Sequence, residues 1–148
     1  MKERILRNKW SIGIGILVFI VCILILKINP SKLADYSGFL SNSISFSSLT
    51  TAVFMATFVF IPLLDIGLLK EMSTNKKFTE RILIVITLFF SVSILSLLMS
   101  ILIKESSTTI LASILLSLLI SILSSAIAES IEILKIVFIL NWNKKGTS

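Results

Sequence analysis

The sequence contains no histidine, one cysteine, two prolines and five glycines in 148 residues, and only 15% of its residues are charged. Without histidine, neither a His-based metal site nor Ser-His-Asp or Cys-His catalysis can be assembled, and a lone Cys22 excludes an internal disulfide or thiolate cluster. The shortage of charge excludes a water-soluble domain, which is roughly one-quarter charged. What fills the chain instead is 55% hydrophobic residues, giving a mean hydropathy of +1.03. These features predict a single-domain, all-α membrane protein over residues 1–148, with the lipid bilayer as its solvent.

A spanning helix needs about 20 mostly apolar residues for a ~30 Å hydrocarbon core. Four stretches meet this length: about residues 10–28, 49–69, 82–103 and 108–128, the last continuing apolar to about 140. The first follows the basic residues Lys2, Arg4, Arg7 and Lys9, as a signal peptide would. It is read as a retained span, because Lys27 follows directly and no small-x-small cleavage pattern appears.

Basic residues near span ends are held on the cytoplasmic side. Eleven of the fourteen lie in the amino tail, the second connection or the carboxyl end, and only Lys27, Lys32 and Lys104 fall opposite. Both termini are therefore expected in the cytoplasm, in a multi-pass protein of the cell (inner or plasma) membrane. Trp10 and Trp142 would then sit at the cytoplasmic interface.

The connections leave no room for a soluble domain. In the first outer loop, residues 30–48, Ser31 after Pro30 is a candidate cap, and Leu33, Tyr36 and Leu40 share a helical face, predicting a short interfacial helix. Ser47 or Ser48 would cap the second span.

The fourth segment is the most informative. At 100° per residue, Ser113, Ser117, Ser121, Ser124, Ala128, Glu132 and Lys135 fall within about 100° of one another, and the other faces are Leu and Ile. Such a stripe serves close helix packing or, in a ring of subunits, a water-lined lumen. From Thr108 to Leu140 the segment would measure about 50 Å, too long for one upright span. A bend near Ser124 and Ser125, or a continuation past Ala128 packed against protein, is expected. The third span carries a second small polar face at Ser93, Ser96 and Ser100, and Cys22 reads as a buried apolar residue.

Ionisable groups at membrane depth are costly and are functional candidates. Asp65 lies about 7 Å deeper than Lys70, five residues on, and Pro62 precedes it on the same face. Glu129, Glu132 and Lys135 enter from the same inner side. The residues predict a charge network or ion path formed by Asp65, Glu129, Glu132 and Lys135, with Asp65 meeting Lys135 or Lys70.

Nothing in the residues calls for a cofactor, a metal or a nucleic-acid partner, and no activated nucleophile is evident. The expected function is non-enzymatic. The leading expectation is a homo-oligomeric pore-type or membrane-effector subunit, with the fourth-helix stripe as its oligomerisation or lumen face. The alternative is an immunity or binding protein that intercepts a pore-forming toxin or another membrane partner. The third is a small transporter using Asp65.

Overall fold

The computed structural model describes residues 9–60 and 76–145. Helix α1 (Lys9–Ile20) runs into a π-helical turn (Val21–Ile25), and a 3-10 turn (Pro30–Lys32) leads to α2 (Tyr36–Phe60), α3 (Lys76–Leu102) and α4 (Ile110–Lys145). No strand occurs among the described residues. Three stretches, Tyr36–Phe60, Phe78–Leu102 and Ile110–Phe138, are long and apolar enough to cross a membrane by length and composition, and Lys9–Ile25 forms a shorter apolar helix. Large apolar side chains stand exposed on every helix, among them Leu24, Leu49, Phe90 and Leu111. That distribution suits lipid, which carries no penalty for apolar surface.

The first connection is shorter than the sequence predicts. Helix α2 begins at Tyr36, so the expected interfacial helix is the amino end of the second long helix rather than a separate element. Asp35 supplies the cap: its Oδ1 accepts the Gly38 N–H at 2.8 Å, while Ser31 donates to Asn29 Oδ1 instead. The serine-rich run that followed was expected to be loop. It is helical because its hydroxyls return to the carbonyls one turn back, Ser45 to Ser41, Ser47 to Ser43 and Thr50 to Phe46, so they leave no polar group begging for water. The predicted face does point inward, since Tyr36 and Leu40 are buried against Met99, Leu116 and Leu119, with Leu33 packed beside them. Asp35→Ala is expected to cost about 1 kcal/mol, as cap removal does, read as a lower midpoint of thermal unfolding in detergent; an unchanged midpoint would show that the helix start is held by packing alone.

Neighbouring helices run antiparallel, with α2 on α3, α3 on α4 and α4 on α1. Across α2 and α3 the Tyr36 hydroxyl donates to the Met99 carbonyl at 3.5 Å, Phe46 meets Phe89 edge to face at 5.7 Å, and the hydroxyls of Ser48 and Ser93 lie 3.3 Å apart. A second apolar cluster at the other end joins Phe78, Ile82, Val85 and Phe89 of α3 to Ala126 and Ile133 of α4.

Helix α4 is continuous over 36 residues, about 54 Å at 1.5 Å per residue. The α-helical assignment is unbroken at Ser124 and Ser125, whose hydroxyls donate to the carbonyls of Ile120 and Ser121. The alternative expectation, a continuation packed on protein, describes it better. Ile133 beyond Ala128 is buried against Phe78 and Ile82, because α3 begins at Lys76 and not at residue 82. The two helices overrun together, each covering the other's extra turns.

Candidate functional site

Three helices converge on one carboxylate. Glu129 of α4 is 1% exposed. Its Oε1 accepts the Ser11 hydroxyl of α1 at 2.7 Å, and its Oε2 accepts Arg81 Nη1 of α3 at 2.9 Å. Arg81 Nη1 also lies 3.9 Å from Glu132 Oε2, and Lys135 Nζ donates to Glu132 Oε1 at 2.7 Å. The cluster grades outward, from Glu129 through half-buried Glu132 to exposed Lys135. Among the described residues, two acids here face two bases. A buried ion pair is tolerated only when its lone pairs and protons find partners, and both oxygens of Glu129 are occupied.

Glu129, Glu132 and Lys135 all belong to this cluster, joined through Arg81 and Glu132. Asp65, with Pro62 and Lys70, lies outside the described residues. The partner of Lys135 here is Glu132.

Sequence reasoning missed the two residues that make Glu129 a junction. Arg81 borders the apolar run of residues 82–103 yet sits inside α3, about 70° from the centre of the face defined by Phe78, Ile82, Val85 and Phe89 at 100° per residue. That angular position was the available signal. Ser11 had one too, since Ser11, Gly15 and Cys22 form a small-residue line and are the residues of α1 and its π-helical turn that are buried.

The stripe on α4 divides. Ser121 is buried and donates to the Gly15 carbonyl at 2.8 Å. A Cβ on Gly15 would run into Ser125 Oγ, so the backbones approach as closely as they do only because position 15 has no side chain. Ser117 is fully buried, and its hydroxyl has no hydrogen-bond partner among the described residues; the same holds for Ser96 of α3. Ser113 and Ser124 are half-buried and bond to carbonyls of their own helix. Within one chain the stripe is a packing surface, and α1 lies over its carboxyl-terminal part, from Ser121 onward.

Crevices flank this contact. One of about 400 Å³ includes Ile84 and Leu88 of α3 with Gly15, Ser121, Ser125 and Glu129 in its lining. Another of about 340 Å³, on Trp10, Ile14, Ala128, Ile131 and Lys135, borders α1 and α4. Among the described residues no group of three His, Cys, Asp or Glu side chains could hold a metal ion. The chemistry the cluster supports is the joining of helices: one acid binds a guanidinium from α3 and a hydroxyl from α1.

A scan against protein-family models and searches of curated proteins and of solved structures find nothing that matches this chain.

Proposed function

We propose that the chain is a non-enzymatic, self-associating subunit of the cell membrane, of the pore or membrane-effector type, with both termini in the cytoplasm. The observation that carries this reading is a small-residue face on α2 that is exposed among the described residues. Tyr36, Leu40, Ser43, Ser47 and Thr51 are turned inward and buried. Ser41, Ser45, Ala52 and Ala56 recur at helical spacing on a different face and are exposed. Lipid tails are as apolar as Leu, so helices in a bilayer associate through close van der Waals packing and interhelical hydrogen bonds, which small residues permit. Because α1 already lies on the α4 stripe, the self-association face is assigned to α2.

In a Cys22→Ser background, Ser45→Cys is expected to give oxidative dimers in membranes, whereas Phe90→Cys, on exposed α3 surface, should not. Induced expression should also lower membrane potential, as followed with a voltage-sensitive dye. A strictly monomeric particle with no depolarisation would overturn the proposal. Protection from a pore-forming toxin without depolarisation would move the function to the immunity class, with a partner helix on the same face.

A further inference from the structure

Helix α1 is held differently from the others. Its buried residues and those of its π-helical turn are Ser11, Gly15 and Cys22, while Ile12, Ile16, Leu17 and Leu24 are exposed. No large apolar side chain of α1 is fully buried, Val18 and Phe19 being half-buried, and its closest anchorage is the Ser11 bond to Glu129, the Ser121 bond to the Gly15 carbonyl and the close approach at Ser125. The crevices beside the contact confine α1 to a narrow line along α4. In lipid, lifting such a helix exposes no apolar surface to water; it forfeits two hydrogen bonds and a seam of contacts.

We propose that α1 is an exchangeable helix, and that the groove on α4 formed by Ser121, Ser125 and Glu129 also receives the α1 of a second copy of this chain. The groove's chemistry names its occupant: a hydroxyl one turn before a residue without a side chain, which is the Ser11 and Gly15 pair. The ten residues 26–35 can extend to about 33 Å, against about 8–10 Å between packed helices, once Ile28, Pro30 and Leu33 leave their places on the core. Cis and trans docking make the same contacts, so they differ in effective concentration, which the tether sets for the chain's own α1. A neighbouring copy must therefore be held close, and on this point the inference rests on the association through α2 proposed above. Reciprocal exchange closes a two-fold dimer without leaving an open face.

The test uses two differently tagged full-length chains, both Cys22→Ser, coexpressed in membranes and treated with a short bis-maleimide. One carries Ile14→Cys and the other Ile131→Cys, positions that line one crevice and whose side chains are exposed. Exchange gives a crosslink between the two tags several-fold above that of Ile14→Cys paired with Ile101→Cys, on exposed α3 surface. Gly15→Leu should abolish that product. A between-tag yield at the control level, with efficient intrachain crosslinking when both cysteines are placed in one chain, would overturn the exchange, as would a product that survives Gly15→Leu. The Ser45→Cys dimer reads association separately: dimers without between-tag product remove exchange alone, and between-tag product without dimers removes the α2 face alone.

Discussion

Glu129→Ala is expected to be among the most damaging single substitutions in the described part of the chain, costing about 3–5 kcal/mol, as removing one partner of a buried ion pair does. The carboxylate accepts from Ser11 and from Arg81, whose side chain is 13% exposed. Its removal takes from Arg81 the carboxylate at 2.9 Å and strips Ser11 of its acceptor. Replacing the pair together, Arg81→Met with Glu129→Leu, should recover much of the loss, because the desolvation cost of both charges disappears with their attraction. Ser11→Ala removes one hydrogen bond to a charged group and is expected to cost about 1.5–3 kcal/mol. Reversible unfolding in mixed micelles, followed by circular dichroism, measures all three. If Glu129→Ala costs less than the paired replacement, the cluster is not what joins α1, α3 and α4.

Gly15→Leu is expected to detach α1 from α4. A Cβ at this position would meet Ser125 Oγ and press on Ser121 Oγ at 3.4 Å. Overpacking of a close contact costs about 1–3 kcal/mol, and α1 has no fully buried large side chain with which to compensate. Gly13→Leu is the matched control. Nothing lies within 4 Å of its added Cβ, and replacing a helical glycine by leucine gains up to about 1 kcal/mol of helix propensity. The two substitutions should therefore differ in sign. Proximity can be followed by the yield of the Ile14→Cys and Ile131→Cys crosslink within one chain, expected to fall for Gly15→Leu and to hold for Gly13→Leu. Equal behaviour of the two glycines would mean that α1 does not rest on α4 through position 15.

The glycines show where sequence reading stops. Gly13 and Gly15 stand two residues apart in the same apolar run, and no local rule separates them. Only the partner helix does, by placing Ser125 opposite one and nothing opposite the other. Arg81 is a similar case. As a basic residue beside a long apolar run it looked like a membrane boundary, yet α3 continues to Lys76 because Phe78 and Ile82 have Ile133 to pack against.

Composition and periodicity were enough to establish an all-helical fold with apolar helices suited to lipid, the shared inward face of Tyr36 and Leu40, and the excess length of α4. These follow from spacing within one helix, which the chain's own geometry fixes. The start of α2 at Tyr36, the pairing of Glu129 with Arg81 and Ser11, and the covering of the serine stripe by α1 were decided by tertiary structure. Each depends on which residue of a second helix arrives opposite, and in a chain this poor in charge and glycine a few such contacts determine how the helices lie.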